Sequence, residues 1–282
     1  QNPNFYWQGC AIADVDQDSL YDVFVGGSVN CFLYKNLGNG KFQSIAKESG
    51  LGKEHSSTSA LFFDADRDGD LDLFCAHVGW EIDGVPQGQP LSYYQNDGNG
   101  HFSDKSIDAG LDVYAIAFGV SIADIDNDGD LDIFVCGYNR LDSFYPNHWF
   151  AATNGSSNLV FINDGAGHFK EVSKERGIKD RSWSYACAFA DFDEDGDQDI
   201  YVANDYGANQ LWVNDGAGHF GDQALALGVE DIGNGMGVAW GDLNQDGRLD
   251  LYVSNMSSSA GNRILSRLMK ADDSEMASKL FK

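Results

Sequence analysis

The chain has 282 residues, enough for one large domain or two ordinary ones, and 43% of them are hydrophobic, which suffices for a folded core. Its 18 basic and 44 acidic residues give a formal net charge of −26, which disfavours nucleic acid and anionic membranes as partners. There is no run of about 18 apolar residues, so the sequence predicts no transmembrane segment.

Within this acidic chain, a nine-residue aspartate pattern occurs five times, starting at residues 14, 64, 124, 191 and 242. The most regular copy reads Asp124-Ile-Asp126-Asn-Asp128-Gly129-Asp130-Leu-Asp132. Carboxylates this close together repel one another unless a cation lies between them. The donors are hard oxygens with no His or Cys among them, which favours Ca²⁺ over zinc. We therefore expect about five bound Ca²⁺ ions, one for each copy.

Each copy, called an aspartate loop below, offers its ligands at fixed positions. Side chains at positions 1, 3, 5 and 9 converge on one ion, position 7 contributes its backbone carbonyl, and a small residue at position 6 allows the turn. Position 12 is never Glu, which excludes the helix–loop–helix calcium motif. The predicted metal-site residues are Asp14, Asp16, Asp18, Leu20 and Asp22; Asp64, Asp66, Asp68, Asp70 and Asp72; Asp124, Asp126, Asp128, Asp130 and Asp132; Asp191, Asp193, Asp195, Asp197 and Asp199; and Asp242, Asn244, Asp246, Arg248 and Asp250.

Two loops depart from this pattern. The first has Ser19 where the others have Gly, and the fifth has Asn244 at position 3 and Arg248 at position 7. Because the fifth loop has one fewer negative ligand, we expect it to bind Ca²⁺ more weakly than the others. Solvated Asp-Gly turns would explain a single copy, whereas five copies in register favour metal binding.

A second pattern follows each of the first four loops. It reads Asn36-Leu-Gly38-Asn-Gly40, Asn96-Asp-Gly98-Asn-Gly100, Asn163-Asp-Gly165-Ala-Gly167 and Asn214-Asp-Gly216-Ala-Gly218, each with a Phe two residues later. Such a turn between two apolar runs indicates a tight β-hairpin. The recurring His101, His168 and His219 are interpreted as surface residues of these hairpins.

Each unit therefore reads strand, aspartate loop, strand, connection, strand, hairpin turn, strand. The loops start 50, 60, 67 and 51 residues apart, and four-stranded units at this period are typical of propeller blades. The predicted fold class is all-β, a β-propeller of four-stranded antiparallel blades with at least five blades in residues 1–265. Residues 266–282 are expected to be a helical or irregular tail, or the start of an incomplete blade.

The paired loop and hairpin patterns, over about residues 9–255, resemble the FG-GAP/VCBS repeats of integrin-type β-propellers. Two later stretches, Gly235-Met-Gly-Val-Ala-Trp-Gly-Asp242 and Leu251-Tyr-Val-Ser-Asn-Met-Ser-Ser-Ser-Ala-Gly-Asn-Arg263, are similar to the cartilage acidic protein family, whose chains often carry an ASPIC/UnbV module. No such module is recognisable here. The resemblance implies an extracellular calcium-binding propeller with adhesion or matrix roles, and five blades would then be part of a larger ring, seven-bladed by analogy. The unfinished fifth unit also leaves open closure by another chain or by the N-terminal strand.

Two long connections, at 78–90 and 138–156, each link the second and third strands of a unit. In a propeller these connections lie on the face opposite the aspartate loops, together with the links between blades. That face would carry Trp80, Tyr145, His148, Trp149, Trp183 and Tyr185. Aromatic residues on long loops are typical of a contact surface for a protein or glycan ligand. The alternative is that they fold back and cover the rim.

The five cysteines, Cys10, Cys31, Cys75, Cys136 and Cys187, are odd in number and lack metal-site spacing. We interpret them as small buried strand residues and predict no essential disulfide. The chain begins with Gln1 rather than Met, which indicates processing, and millimolar Ca²⁺ outside cells suits such loops. We therefore expect a secreted protein, periplasmic or at the cell surface if bacterial.

Three functions fit this sequence. The first is a non-enzymatic, calcium-stabilised binding or adhesion module, since closed ligand shells leave no open position for chemistry. The second is a polysaccharide-active lyase or hydrolase, for which Arg140, Asp142, Tyr145 and His148 lie close in sequence. The third is a structural subunit of a larger extracellular assembly. No Ser-His-Asp, Cys-His or clustered-His pattern stands out, so we favour the first.

Overall fold

The computed structural model describes residues 9–27, 30–51, 57–78, 80–82, 85–87, 89–140 and 145–256. In chain order the strands are β1 (Cys10–Ala13), β2 (Asp22–Val25), β3 (Phe32–Asn36), β4 (Phe42–Ser44), β5 (Ser57–Phe63), β6 (Asp72–His77), β7 (Trp80–Ile82), β8 (Val85–Gln87), β9 (Gln89–Pro90), β10 (Ser92–Asn96), β11 (Phe102–Asp104), β12 (Tyr114–Ala115), β13 (Ala117–Ala123), β14 (Asp132–Gly137), β15 (Leu159–Asn163), β16 (Phe169–Glu171), β17 (Trp183–Ala190), β18 (Asp199–Tyr206), β19 (Gln210–Asn214), β20 (Phe220–Asp222), β21 (Gly235–Gly241) and β22 (Asp250–Asn255). One short helix, α1 (Ala224–Leu227), follows β20.

Within the described residues, most of these strands form four antiparallel sheets of four strands and a fifth sheet of two strands, while β7 pairs with β8 and β9 pairs with β12 in two small separate sheets. The sheets contain β1 to β4, then β5, β6, β10 and β11, then β13 to β16, then β17 to β20, and finally β21 and β22. In each full sheet the aspartate loop joins the first two strands and the hairpin turn joins the last two. Antiparallel pairing therefore places both turns at the same edge of the sheet. The predicted four-stranded unit is confirmed.

The hydrophobic core lies between successive sheets rather than inside any one of them. Phe63 and Phe74 of the second sheet, for example, belong to one buried cluster with Ile133 and Phe161 of the third. Similar clusters join the first sheet to the second, the third to the fourth and the fourth to the fifth. The first strands of neighbouring sheets also pack side by side. Sheets that face one another in sequence order around their first strands make the fold an all-β propeller.

In the second to fourth sheets, the second strand is the most buried part of the fold. All six residues of β6 and all six of β14 are buried, because neighbouring sheets cover both faces of these central strands. Such strands read as continuous apolar runs in the sequence rather than as alternating ones. Burial of this kind provides the rigid frame that holds the aspartate loops in place.

The outer face of the first sheet shows what a neighbouring blade contributes. Phe102, Phe169 and Phe220, which follow the hairpin turns of the second to fourth sheets, are 5–7% exposed. Phe42 occupies the same repeat position in the first sheet and is 49% exposed. At the other end of the arc, Tyr252 of β22 is 59% exposed, whereas its counterparts in the second to fourth sheets are buried. Within the described part of the chain, no blade covers these two outer faces.

A third repeated element, which the sequence analysis missed, links each blade to the next. After the fourth strand of a sheet the chain forms a short turn that ends in Gly-Leu or Gly-Ile, as at Gly110 and Gly177. The backbone N–H of Phe169 donates to the carbonyl of Ala109 at 2.8 Å, and that of Phe220 donates to Arg176 at 2.8 Å. The turn is thus a backbone clasp between successive blades. The recurrence of Gly-Leu or Gly-Ile after the first three hairpins is the sequence signal from which this turn could have been predicted.

Some sequence expectations concern residues outside the described ranges or need correction. Residues 266–282 lie outside the described ranges, and the seven-bladed ring stays a prediction. Cys31, Cys75 and Cys136 are buried and Cys187 is partly buried, but Cys10 is exposed, because no blade packs against β1 on its outer side within the described residues. Among the described residues, no helix is long and apolar enough to cross a membrane.

Candidate metal centres

The five aspartate loops share one backbone conformation. The residue at position 4 has a positive φ in every loop, between 58° and 65°, and position 6 does so as well. The position-1 carboxylate accepts the N–H of position 6 in every loop, as Asp124 does from Gly129 at 2.9 Å. The position-5 carboxylate accepts the N–H of position 7, as Asp128 does from Asp130 at 2.8 Å. These bonds hold the carboxylates at positions 1 and 5 on the inside of the turn.

The position-9 aspartate joins the loop to the rest of its sheet. Asp132 is fully buried, and its two oxygens accept the N–H groups of Ile125 at 2.9 Å and Asn163 at 2.8 Å. The same bond to the hairpin Asn is made by Asp22, Asp72 and Asp199. Burial raises the pKa of Asp132 to about 7 and the pKa values of Asp72 and Asp199 to about 6. With a pKa of about 7, Asp132 is only half ionised at neutral pH, and a nearby positive charge would favour its ionised form.

Carboxylate oxygens converge in four of the five loops. They come within 4.8 Å of one another in the sets Asp14, Asp16 and Asp18; Asp64, Asp66 and Asp68; Asp124, Asp126 and Asp132; and Asp191, Asp193 and Asp195. Buried oxygens of Asp16, Asp64, Asp126 and Asp199 have no hydrogen-bond partner. A buried, unpaired carboxylate oxygen is costly, whereas a hard cation would satisfy it. The converging donors are positions 1, 3 and 5 in the first, second and fourth loops and positions 1, 3 and 9 in the third, and these hard oxygen sets would fit Ca²⁺.

The fifth loop is arranged less favourably. Asn244 replaces a carboxylate at position 3, and the described residues of this loop do not bring three carboxylates together. Leu243 at position 2 is 72% exposed, whereas Val15, Ala65 and Ile125 at the same position are buried at 0–1%. The fifth loop thus has one carboxylate ligand fewer, and none of the residues that the structure describes supports it from the following side.

Basic side chains reach two of the loops. The Lys35 ammonium contacts Asp16 and lies 3.2 Å from Asp18, and these carboxylates raise the pKa of Lys35. Arg176, from the turn after the third sheet, lies 2.9 Å from Asp126. At the position of Lys35 the second sheet has Gln95, whose amide donates to Asp66 at 2.5 Å. The first and third loops therefore carry part of their neutralising charge within the protein.

Three of the position-7 side chains face the neighbouring loop rather than the inside of their own. Asp130 Oδ1 lies 2.5 Å from Arg67, which is at position 4 of the preceding loop. Asn127 donates to Asp197 at 2.7 Å across the next junction, and Gln17 donates to Asp70 at the first. For these three residues the arrangement agrees with an ion contact through the backbone carbonyl alone, which stays a prediction for Leu20 and Arg248.

In the second to fourth sheets, the first Asn of the hairpin turn has a second role that the sequence did not reveal. The Asn163 amide donates to the carbonyl of Ala65 in the preceding loop at 2.7 Å and to Leu131 in its own loop at 3.2 Å. Asn96 and Asn214 bond the preceding loops in the same way. The turn residue is thus also a clamp between blades.

Aromatic side chains gather at the edge opposite the aspartate loops. Tyr206 at the end of β18 contacts Trp149 and Trp183, with ring centroids 5.4 and 5.6 Å apart. Tyr138 continues the series, 5.0 Å from Trp183 and 4.7 Å from Phe118. Phe118 stacks on Tyr185 at 4.9 Å. The aromatic cluster, defined as Phe118, Tyr138, Trp149, Trp183, Tyr185 and Tyr206, spans the third and fourth blades.

The expectation that six residues would be exposed on this face needs correction in part. Trp149 is 58% exposed and Tyr145 is 84% exposed, and His148 is also exposed. Trp183 is only 2% exposed, because it lies beneath Tyr138 and Tyr206 and donates its N–H to Asn154 at 3.1 Å. Tyr185 is partly buried, and nothing is described of the Trp80 side chain.

Of the residues considered for an enzymatic site, Arg140, Tyr145 and His148 lie among the described residues. The Nδ1 of His148 accepts the N–H groups of Phe150 and Ala151, both at 3.1 Å, so this histidine shapes its own loop. Asp142 lies outside the described residues. The three hairpin histidines are 56–64% exposed at the side chain and pair with Asp97, Asp164 and Asp215 of their own turns, as surface residues.

Aspartate loops at one edge of successive four-stranded sheets define a repeat protein of the β-propeller class, with candidate cation sites built into each blade. The model of the FG-GAP-like repeat family matches residues 14–75, 84–135, 149–202 and 191–253, and the chain belongs to this family.

Curated relatives and one solved structure also match. Cartilage acidic protein 1 of Mus musculus is 24% identical over 267 residues, with 90% of this chain and 41% of that protein covered. The same protein of Xenopus tropicalis is 25% identical over 273 residues, with 90% and 41% covered. This chain thus spans about two fifths of the length of these relatives. A lectin of Agrocybe aegerita, described as recognising non-reducing terminal N-acetylglucosamine, matches with 16% identity and a TM-score of 0.35 over 88% of this chain and 75% of that chain.

Proposed function

We propose that this chain is a calcium-stabilised, non-enzymatic binding module that works outside the cell. The observation that carries the calcium assignment is the convergence of carboxylates within 4.8 Å in four loops. Buried carboxylate oxygens without a partner, as in Asp64 and Asp126, support it. An extracellular setting supplies millimolar Ca²⁺, which suits exposed loops of this kind. The similarity to cartilage acidic protein 1 supports the same setting.

The loop residues would have distinct roles in holding the ion. Side chains at positions 1, 3, 5 and 9 and the carbonyl at position 7 would hold Ca²⁺, which supplies positive charge at the centre of each loop. The buried position-9 carboxylate could then ionise while it still accepts the N–H groups of its own loop and hairpin. The loop would thereby be fixed to the third strand of its blade. Ion binding and folding of the blade edge are linked in this way.

Thermal unfolding in chelator, in Ca²⁺ and in Mg²⁺ tests this proposal. We expect Ca²⁺ to raise the melting temperature strongly over the chelated state and Mg²⁺ to do so much less, since Mg²⁺ demands near-octahedral geometry and keeps several of its waters. Calorimetric titration should show the Asp126→Ala variant losing one site, whereas Asp164→Ala on an exposed hairpin should keep all sites. An unchanged melting curve in chelator would contradict the proposal.

We also propose that the aromatic cluster is the contact surface for a protein or glycan ligand. Trp149 presents an exposed ring beside the partly buried Tyr206, and the Tyr145 side chain lies exposed on the same connection. Aromatic anchors supported from beneath by buried side chains are typical of binding hot spots. The third possibility, a structural subunit of a larger assembly, would use the same surface for a partner subunit.

A glycan array and a pull-down with extracellular proteins test this surface. The Trp149→Ala variant should bind the retained ligand with an affinity lower by about tenfold or more, as expected for truncation of a hot-spot tryptophan. Tyr252→Ala is the matched control, because Tyr252 is 59% exposed and Trp149 is 58% exposed, but Tyr252 lies on the fifth sheet. An equal loss of affinity in both variants, or no loss in either, would contradict the proposal that the cluster is the binding surface. Turnover of a polysaccharide by the wild type would favour the enzymatic alternative.

A further inference from the structure

Polar contacts join successive aspartate loops at three junctions between blades. At each junction the side chain at position 4 of one loop meets the carboxylate at position 7 of the next. The pairs are Gln17 with Asp70, Arg67 with Asp130, and Asn127 with Asp197. The three donors differ in size and charge, yet they reach the same acceptor position. The contact is therefore a repeated feature of the junction rather than a property of one residue pair.

The backbone prepares both partners for this contact. The position-4 residue lies in the left-handed region, with φ of 58° at Gln17, 60° at Arg67 and 59° at Asn127, which turns its side chain outward from its own loop. The carboxylate at position 7 packs against the hairpin glycine of its own blade. A β-carbon at Gly165 would lie 2.6 Å from Asp130 Oδ2. Each acceptor is thus held in place before it meets its donor.

At the fourth junction, between the fourth and fifth loops, the charges at these two positions are reversed relative to the Arg67–Asp130 junction. Position 4 of the fourth loop is Glu194, with φ of 64°, and position 7 of the fifth loop is Arg248. Both side chains are exposed, and Arg248 lies 3.6 Å from Asp246 in its own loop. The fourth and fifth sheets pack as the others do, with Phe192 of the fourth loop stacked on Trp240 at 6.3 Å. Acid and base have exchanged places, and the pairing seen at the other junctions would need the Arg248 side chain to turn from Asp246 of its own loop to Glu194.

We propose that Glu194 and Arg248 form a salt bridge of reversed polarity that latches the fourth aspartate loop to the fifth. The side chains at positions 4 and 7 have a positioning role, since they would orient neighbouring loops without contacting the ion themselves. The latch itself needs no metal. Its effect on ion binding rests on the proposed calcium function: a latched fifth loop, which has no carboxylate at position 3, binds Ca²⁺ more tightly because its neighbour orders it.

Charge exchange at this junction tests the latch. Glu194→Arg places two cations together, and Glu194→Arg with Arg248→Asp recreates the polarity of the Arg67–Asp130 junction. In chelator, we expect the single variant to lower the melting temperature by about 2 °C and the double variant to recover it, as for an exposed ion pair. The recovery should shrink in 1 M NaCl, because salt screens exposed charges.

A matched control comes from the chain itself. Gln245 is at position 4 of the fifth loop, and the described residues contain no sixth loop, so Gln245→Arg adds the same cation without a latch partner. In Ca²⁺ titrations, the weakest site should lose about twofold to threefold in affinity in Glu194→Arg and regain it in the double variant. Failure of the double variant to recover stability in chelator would overturn the latch. A wild-type protein that binds no Ca²⁺ would instead overturn the proposed function, and the chelator measurement would still decide on the latch.

Discussion

The side-chain amide of Asn163 donates to the carbonyl oxygen of Ala65, 98 residues earlier in the chain, at 2.7 Å. The same amide donates to Leu131 in its own blade, so one side chain joins the turns of two blades. Both acceptors are held at the edge where the aspartate loops lie. The stability of an aspartate loop therefore depends on a hairpin residue in the following blade.

Removal of this clamp should be costly. Asn163→Ala leaves two carbonyls without their donor, and we expect it to reduce the free energy of unfolding by about 2 kcal/mol. Asn36→Ala is the control, because Asn36 makes the same turn bond, to Gly38, but its amide donates only within the first sheet, to Tyr21. Urea unfolding of both variants measures the difference. Equal losses would show that the turn bond, not the clamp, matters.

The backbone clasp between blades makes a second comparison possible. Gly177 has φ of 93°, and a β-carbon there would lie 2.5 Å from the carbonyl oxygen of Phe220 in the next blade. Gly228 has φ of 73° and nothing within 4 Å of a β-carbon. Gly228→Ala should cost about 1 kcal/mol from backbone strain alone, and Gly177→Ala about 3 kcal/mol from strain plus a clash. Thermal melts of the two variants check this difference. Equal decreases in melting temperature would contradict the role of the clasp.

Stability in chelator should fall as the pH rises. Burial raises the pKa of Asp132 to about 7 and that of Asp72 to about 6, well above the value of about 3.9 in an unfolded chain. Between pH 4 and pH 7 the folded protein therefore holds protons that the unfolded chain has released. The stabilisation that these two groups contribute is therefore complete below about pH 4, and it is lost as the pH rises through their pKa values in the folded protein.

Urea midpoints measured from pH 5 to pH 8 in chelator check this dependence. We expect a decreasing midpoint in chelator and a nearly flat one in saturating Ca²⁺, which keeps the carboxylates ionised. Asp132→Asn should reduce the slope in chelator, because it removes the group with the highest of these pKa values. A midpoint that rises with pH in chelator would contradict the assignment.

The Lys35 ammonium should compete with Ca²⁺ at the first loop. It contacts Asp16 and lies near Asp18, and its side chain is 31% exposed. Lys35→Met should lower the melting temperature in chelator, since two carboxylates lose their cation, and should raise the affinity of one site in a Ca²⁺ titration. Lys41→Met, on the neighbouring hairpin, should do neither. A loss of calcium affinity in Lys35→Met would show that Lys35 supports the site instead.

The local repeat could be predicted from the sequence because its signals are local. Asp-Gly loops, Asn-Asp-Gly turns and apolar runs fix the four strands of a blade within 50–67 residues, and the structure confirms them. Contacts between blades could not be predicted in this way. The acceptor of the Asn163 amide, the burial of Trp183 and the exposure of Cys10 all depend on which sheet lies beside which. That relationship comes from radial packing, which a single unit does not encode.

The outward-facing carboxylate at position 7 has a consequence for protein engineering. A chimera that received the third blade of this chain would bring Asp130 without the Arg67 that meets it here. The smallest transferable piece therefore runs from the fourth position of one loop to the seventh position of the next, across the boundary between the two blades.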